Sequence, residues 1–165
     1  MNAAAVAANA VIPEVAWRPM RDTDIAVVAA IEARVHLAPW TPGNFRDALA
    51  AGYGATVGEA NDIIVAYGVL MFAPGEAQLL NLTVVDPLRR RGIGRKLLRR
   101  FLTDAAALGA EQCFLEVRAS NVAAISLYSA EGFVPVARRA SYYPAAHTGD
   151  AREDALVLRR ALRES

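Results

Sequence analysis

Apolar residues recur every three or four positions in four segments of the chain, which predicts four amphipathic helices. Some of these segments open with residues typical of a helix start, such as the proline at position 42, which suits the first helical turn because its missing N–H is not needed there. The predicted helices begin at Asp22, Thr41, Ile93 and Asn121, and the last of them runs to about Ala130.

Between and after these helices, alternating or continuous apolar runs predict strands. Turn residues at Asn61-Asp62 and at Pro74-Gly75 separate the first long runs, so we expect an antiparallel meander there. The later runs alternate with helices, which predicts a mixed sheet with helices on both faces. The predicted strands are a short extended piece around residues 16–19, followed by residues 53–59, 63–72, 78–85, 113–117, 133–142 and 155–158.

Length and composition indicate one globular domain. The chain has 165 residues and a mass of 17.6 kDa, with 55% apolar and 21% charged residues. We expect a single domain over residues 15–165 and a flexible alanine-rich leader over residues 1–14. The single cysteine, Cys113, excludes a disulfide framework and a cysteine-based zinc site, and no run of 18 uncharged apolar residues is present. The expectation is therefore a cytoplasmic protein that does not associate with membranes.

Positive charge is concentrated in one short segment. The whole chain has a net charge of +1, whereas residues 89–100 hold seven Arg and Lys residues and no acid, which leaves −6 on the remainder. This split predicts one local site for an anion. A nucleic-acid-binding protein would usually spread its basic residues more widely, so direct nucleic-acid binding is not expected. His36 and His147 have no partners at metal-ligand spacing, so no metal is expected.

The segment from Asn81 to Leu98 joins an apolar strand to a basic amphipathic helix through a turn that contains Gly92 and Gly94. Free backbone N–H groups and the positive end of the helix dipole would meet at this turn, which suits phosphate. A Walker A loop is excluded because it needs Gly-Lys before Ser or Thr, and a Rossmann turn is excluded because Leu97 stands where a third glycine is needed. The plainer alternative is that the glycines only relieve a tight turn and that the arginines form a solvated helix face.

A second candidate is Glu116, an acid in a five-residue strand that is otherwise apolar. Such an acid is expected to be buried, with a raised pKa unless a cation pairs with it. It could be a general base or could form a salt bridge with Arg118 on the same face, and the spacing alone leaves both interpretations open. Tyr128 follows Asn121 by seven residues, so both project from one helix face near the end of that strand, although a tyrosine on an amphipathic helix is more often part of the core.

Arg89-x-x-Gly92-x-Gly94, between a Leu-Thr-Val strand and a helix, resembles the acetyl-CoA signature of the GNAT superfamily of N-acetyltransferases, and the order of elements is similar as well. The resemblance implies the GNAT fold. This is a central mixed, mostly antiparallel sheet of about six to seven strands, with helices on both faces and a splay between the fourth and fifth strands. The strand before the turn would bulge and hold pantetheine. The implied pantetheine residues are Leu82, Thr83 and Val84, and the implied phosphate residues are Arg90, Arg91, Gly92, Ile93, Gly94 and Arg95.

Further segments resemble one branch of that superfamily, the bacterial N-terminal alanine acetyltransferases of ribosomal proteins (the RimI type). These segments are Leu-Glu-Val-Arg-x-Ser-Asn at residues 115–121, Leu-Tyr at 127–128, Gly-Phe at 132–133, Trp40, and the turn Tyr142-Tyr143-Pro144. The resemblance implies Glu116 as general base, Tyr128 as general acid and Asn121 as a cofactor contact. It also implies acetyl-CoA as co-substrate. The implied acceptor is the N-terminal alanine of a basic ribosomal protein, usually S-eighteen of the small subunit.

These implied roles agree with the charges that the reaction moves. An N-terminal amine, with an ordinary pKa of about 7.7–8.0, must lose a proton before it attacks the thioester, and Glu116 could accept that proton directly or through a water. At an ordinary pKa of about 10, Tyr128 could return a proton to the CoA thiolate, and a strand N–H near Val84 could stabilise the oxyanion. Strand alternation turns Cys113 away from Glu116, so direct transfer is expected and an acyl-cysteine is not.

The acceptor is expected to lie among aromatic side chains. Trp40, Tyr142 and Tyr143 are predicted to form the walls of an entry for a small first residue, and Glu153 and Asp154 in the adjoining loop would favour a basic peptide. A related acetyltransferase for a small-molecule amine or a lysine side chain would share the cofactor residues and differ in these segments. A non-catalytic acetyl-CoA-binding module would not need the base and the acid together, so their joint presence argues against it.

Overall fold

The computed structural model describes residues 12–163, and residues 1–11 of the predicted leader lie outside this part of the chain. Its strands are β1 (Ala16–Pro19), β2 (Gly54–Ala60), β3 (Ile63–Ala73), β4 (Glu76–Val84), β5 (Gln112–Arg118), β6 (Val134–Tyr143) and β7 (Glu153–Ala161). Its α-helices are α1 (Ile25–Val35), α2 (Pro42–Ala50), α3 (Ile93–Ala107) and α4 (Val122–Ala130). All the predicted elements are present, with ends that differ by up to three residues.

The described strands form a seven-stranded sheet in the order β1-β2-β3-β4-β5-β7-β6. It is mixed and mostly antiparallel, with β4 and β5 as the parallel pair, which confirms the predicted fold class. The parallel register covers four residue pairs, beginning with Glu76 opposite Gln112. The splay predicted between these two strands concerns the residues beyond this register and stays a prediction.

The first of two compact units comprises residues 12–71 and 81–101. Within it, β2 pairs antiparallel with both β1 and β3, with a register shift at Gly58. Side chains of neighbouring strand residues point to opposite faces, and here each face meets a different helix. Tyr67 of β3 packs edge-on against Phe45 of α2, whereas a Cβ on Gly68 would lie 2.6 Å from Phe101 of α3. Helices therefore cover both faces of this part of the sheet.

The second unit comprises residues 72–80 and 102–163. Within it, β7 lies between β5 and β6 and is antiparallel to both. Buried and half-buried residues alternate along β5, and Cys113 is on the buried side. Cys113 and Glu116 are therefore on opposite faces, as predicted. Whether residues 15–165 behave as a single domain stays a prediction.

The first helix begins later than predicted. A 3-10 turn starts at Asp22, and α1 begins only at Ile25. The acid that organises this start is Asp24, not Asp22. Its buried carboxylate accepts a hydrogen bond from the Arg21 N–H at 2.7 Å and pairs with Arg18 at 2.7 Å. The hydrogen bond from Arg18 is the main cause of a pKa for Asp24 below its ordinary value.

Residues 12–163 contain neither a membrane-spanning helix nor a cluster of metal-binding side chains. No helix in this range is both long enough and apolar enough to cross a membrane. The same residues contain no group of three or more His, Cys, Asp or Glu side chains that could hold a metal ion.

Candidate active site

The turn between β4 and α3 is held in an unusual backbone conformation. Arg90 has φ +61° and Gly92 has φ +82°, and the positive φ at a bulky residue such as arginine is uncommon. A Cβ on Gly92 would meet no atom within 4 Å, so glycine is needed here for its conformation and not for lack of space. The Arg89 side chain steadies the turn by donating to the Val84 carbonyl at 3.0 Å and pairing with Asp86 at 2.6 Å.

The same turn presents the N-terminus of α3. The Lys96 N–H donates to the Gly92 carbonyl at 3.1 Å, which is the first helical hydrogen bond here. The amides of residues 93 and 94 consequently have no partner within the helix, as at any helix start. These amides, the helix dipole and the nearby arginines together form a cradle for an anion, open on the side of Gly92.

The end of β4 has two chemically different faces. Leu82 and Val84 are half-buried on one face, and Asn81 and Thr83 are buried on the other. Thr83 Oγ1 donates to Asn81 Oδ1 at 2.8 Å, and His36 Nε2 lies 2.8 Å from Thr83 Oγ1. The predicted pantetheine residues therefore combine an apolar face with a hydrogen-bonded polar face.

In the second unit, Glu116 pairs with Arg139 instead of the predicted Arg118. Glu116 Oε1 lies 3.0 Å from Arg139 Nε, and the Glu116 side chain is 17% exposed. The Tyr142 hydroxyl is hydrogen-bonded to Glu116, and this bond is the main cause that raises the pKa of Tyr142. The Arg139 guanidinium lies 5.5 Å from the centre of the Tyr142 ring. Glu116 thus has a cation and a phenol as neighbours.

Sheet register explains why the partner is Arg139. Arg118 of β5 and Arg139 of β6 both stand opposite Ala155 of β7, so all three side chains share one face. The small side chain of Ala155 leaves room for Arg139 to extend across β7 towards Glu116. Arg118 is engaged elsewhere, because its Nη1 donates to Glu153 Oε2 at 3.2 Å.

Arg118 contacts the aromatic end of β6, where Tyr142 and Tyr143 are the last strand residues and not the predicted turn. Its guanidinium lies 4.5 Å from the centre of the Tyr143 ring, and its Nη1 also donates to the Pro144 carbonyl at 3.2 Å. Tyr142 and Tyr143 pack edge-on with centroids 5.0 Å apart. Burial, with smaller effects of Glu116 and Tyr142, raises the pKa of Tyr143 to about 12. The two tyrosines predicted to meet the acceptor therefore form one packed unit.

The acids Glu153 and Asp154 differ from their predicted role. They begin β7, and neither lies in a loop. Glu153 pairs with Arg118 and accepts from the Ser120 N–H at 2.8 Å, and Asp154 pairs with Arg138 at 2.7 Å. Their negative charges are therefore largely balanced within the sheet, which weakens the argument that they attract a basic peptide.

Tyr128 is a buried residue of α4, and its side chain packs edge-on against Phe133 with centroids 5.8 Å apart. Burial raises its pKa well above the ordinary value of about 10, and nearby Tyr143 and Cys113 add to the effect. The prediction of an ordinary pKa for Tyr128 is thus wrong, because the sequence does not reveal how completely the phenol is desolvated. The phenol holds its proton firmly and can act only as a donor near neutral pH.

The two remaining predicted contacts have clear structural roles. Asn121 caps α4, since its Oδ1 accepts from the Ala124 N–H at 3.2 Å. Trp40 is half-buried in the first unit, where its ring lies 5.2 Å from that of Phe45 and its backbone N–H donates to Glu32 Oε1 at 3.2 Å. Trp40 also borders a surface hollow with Tyr53 and Asp47.

The predicted base, acid and acceptor tyrosines all belong to the second unit, where Glu116 and Tyr142 help to raise the pKa of Tyr143, and Tyr143 helps to raise the pKa of Tyr128. Arg118, Arg139 and Glu153 hold this cluster, and of these Arg139 was not predicted from the sequence, while Arg118 and Glu153 were predicted with other roles. Also not predicted were Glu32, Tyr67 and Asn81 beside Thr83 in the first unit. Glu32 could have been found, because an acid occupies a position of the apolar stripe of α1.

Comparison with known proteins identifies similar chains. The sequence model of the acetyltransferase (GNAT) family matches residues 24–133. The [ribosomal protein bS18]-alanine N-acetyltransferase of Escherichia coli strain K12 is 34% identical over 139 residues, which cover 84% of this chain and 92% of that protein.

Solved structures agree with the sequence matches. The crystal structure of the ribosomal-protein-alanine N-acetyltransferase from Escherichia coli superposes with a TM-score of 0.84 at 32% identity, covering 92% of this chain and 96% of that one. Ard1 from Thermoplasma volcanium superposes with a TM-score of 0.81 at 25% identity, covering 91% and 99% of the two chains.

Proposed function

The chain belongs to the acetyltransferase (GNAT) family and is an acetyl-CoA-dependent N-acetyltransferase, and from that premise we propose that its acceptor is the α-amine of an N-terminal alanine, with ribosomal protein bS18 as the leading candidate. The observation that carries the proposal is the 34% identity to a bS18-alanine N-acetyltransferase over 92% of that enzyme's length. Ribosomal proteins are made in the cytoplasm, which is the location that we infer.

The turn between β4 and α3 is the proposed site for the pyrophosphate of acetyl-CoA. Support comes from the amides of residues 93 and 94, the arginines at positions 90, 91 and 95, and the open space beside Gly92. Leu82 and Val84 offer an apolar face for pantetheine, while Thr83 is tied to Asn81 on the opposite face. Asn121 is the remaining proposed contact, with its Oδ1 already engaged in capping α4.

Glu116 is the proposed general base. A protonated α-amine must lose a proton before it can attack the thioester carbonyl, and its ordinary pKa of about 7.7–8.0 makes this loss inexpensive near neutral pH. The carboxylate of Glu116 has a second oxygen besides the one nearest Arg139, and the Tyr142 hydroxyl helps to orient the group. A lysine amine, with an ordinary pKa of about 10.4, would be harder to deprotonate at the same site.

Tyr128 is the proposed general acid. Once the amine has attacked, the departing thiolate has an ordinary pKa of about 8.5, so proton transfer from an unperturbed tyrosine would cost roughly 2 kcal/mol. Because burial raises the pKa of Tyr128, the cost in the unliganded protein is higher. The role therefore requires that the thiolate lie in the same dry environment, where its own proton affinity rises as well.

Mass spectrometry of peptides tests the acceptor. The full chain is incubated with acetyl-CoA and three peptides: the first residues of bS18 with its N-terminal alanine, the same peptide led by tryptophan, and the same peptide with a blocked N-terminus and an internal lysine. We expect acetyl groups on the α-amine of the alanine-led peptide only. Acetylation confined to the lysine, or equal rates for the alanine-led and tryptophan-led peptides, would refute the proposed acceptor but not the acetyltransferase activity.

A further inference from the structure

Helix α1 buries a carboxylate in the core of the first unit. The Glu32 side chain is 2% exposed, yet it has no arginine or lysine among its hydrogen-bond partners in the described residues. The Tyr67 hydroxyl donates to Oε2, and the Asn81 side-chain amide lies 3.2 Å from each carboxylate oxygen. The Trp40 backbone N–H donates to Oε1 at 3.2 Å. Glu32 thus joins α1, β3, β4 and the loop before α2.

His36 extends this network by one helical turn. Its Nε2 lies 3.5 Å from Glu32 Oε2 and 2.8 Å from Thr83 Oγ1. The Thr83 hydroxyl gives its single proton to Asn81 Oδ1 at 2.8 Å, so at the contact with His36 it can only accept. His36 must therefore carry a proton on Nε2. The same Nε2 proton faces the Glu32 carboxylate.

Burying a carboxylate in a core costs free energy of desolvation, and apolar side chains of similar volume are often at least as stabilising. What the polar network adds is a defined arrangement of its members, because a buried polar group left without a hydrogen-bond partner is costly. The ends of the network are Trp40, proposed to contact the acceptor, and Thr83, on the strand proposed to hold pantetheine. Both residues belong to the first unit, so the network spans the two substrate-facing segments of that unit.

We infer that Glu32 and His36 are positioning residues for acetyl transfer, which hold Trp40 and the Thr83 segment of β4 in the arrangement that the reaction needs. The inference rests on the proposed function only for the roles of those two segments. The described partners of the Glu32 carboxylate are Trp40, Tyr67, Asn81 and His36, and none of these residues belongs to the turn between β4 and α3. Loss of Glu32 or His36 should therefore lower kcat while acetyl-CoA affinity, supplied mainly by that turn, is kept.

A double-mutant cycle tests the inference. His36→Leu and Thr83→Val each remove one side of the 2.8 Å contact, and His36→Gln keeps a donor of similar reach as the conservative variant. We expect kcat to fall about tenfold in each single variant and no further in the double variant, because interacting residues are non-additive. His36→Gln should restore most of kcat, and the exposed Arg34→Gln on the same helix should change nothing. The acetyl-CoA Kd should stay within about twofold in both His36 variants.

Two further readouts complete the test. Nitrogen-15 NMR of the wild-type imidazole should show a proton on Nε2 of His36, and an Nε2 without a proton would overturn the inference even if His36→Leu failed to fold. A lower Tm with unchanged kcat, or multiplicative losses in the double variant, would reduce the network to a structural role. The kcat values are measured with whichever amine the wild type acetylates best. Failure of the alanine acceptor would therefore refute the proposed function without affecting this test.

Discussion

The carboxylate of Glu116 on β5 is 3.0 Å from the guanidinium of Arg139 on β6, two strands away in the sheet. The arginine is 56% exposed, so the pair is accessible to solvent and contributes little to stability, about 0–1 kcal/mol. The pair still matters for chemistry, because it occupies one oxygen of the proposed base and orients it beside Tyr142.

Replacing each member of this pair in turn distinguishes two roles of Glu116, general base or partner in a structural salt bridge. Glu116→Gln should lower kcat by about 10²–10⁴-fold, because a positioned general base is lost. Arg139→Ala should lower kcat less than about tenfold and leave the Tm nearly unchanged, since an exposed ion pair contributes little. Rates come from product mass spectrometry and Tm from thermal unfolding. If both variants lost the same activity, Glu116 would be only the partner of Arg139.

Tyr128→Phe should lower kcat by about 10²-fold with acetyl-CoA affinity nearly kept, because only the proton donor is removed. The raised pKa of Tyr128 also predicts how kcat depends on pH. The donor must be protonated, so activity is lost as pH rises through the pKa of Tyr128, and burial moves that loss above pH 10. The wild-type kcat could instead fall near pH 8–9, with this fall absent in Tyr128→Phe. That result would contradict a buried Tyr128 with a raised pKa.

Gly92→Ala should raise the acetyl-CoA Kd about tenfold, because a residue with a side chain resists the left-handed conformation on which the phosphate turn depends. Gly75→Ala is the matched control. Gly75 also has a positive φ, of +76°, and also has open space around its position, but it lies in the turn between β3 and β4. Both variants should lose about 1 kcal/mol of stability. If calorimetry found equal acetyl-CoA affinity in the two variants, the turn between β4 and α3 would not be the phosphate-binding site.

Tyr143→Ala should raise the acceptor KM about tenfold without changing the acetyl-CoA Kd, because a half-buried aromatic wall is lost. Tyr143→Phe keeps the ring under Arg118 and should keep the acceptor KM within about threefold. Steady-state kinetics with varied peptide and saturating acetyl-CoA distinguish the two. A large effect of Tyr143→Phe would mean that the hydroxyl, and not the ring, meets the acceptor.

Much of this protein follows from its sequence, because the relevant forces act over a few residues. Apolar periodicity located the helices and strands, strand alternation placed Cys113 and Glu116 on opposite faces, and the side chain of Asn121 made the cap of α4 recognisable. The glycine before α3 marked a turn that needs a positive φ. Each of these features is decided by backbone sterics or by hydrogen bonds between near neighbours.

The partners of the charged and polar side chains were decided only by the tertiary structure. Glu116 meets Arg139 and not Arg118 because β7 enters the sheet between β5 and β6, an order that no local pattern encodes. The pKa of Tyr128 depends on burial by residues distant in sequence, and Glu32 acquires its partners from four separate segments. Periodicity specifies which face of an element is buried, but side-chain pairing depends on which faces meet, and that is set by the packing of the whole chain.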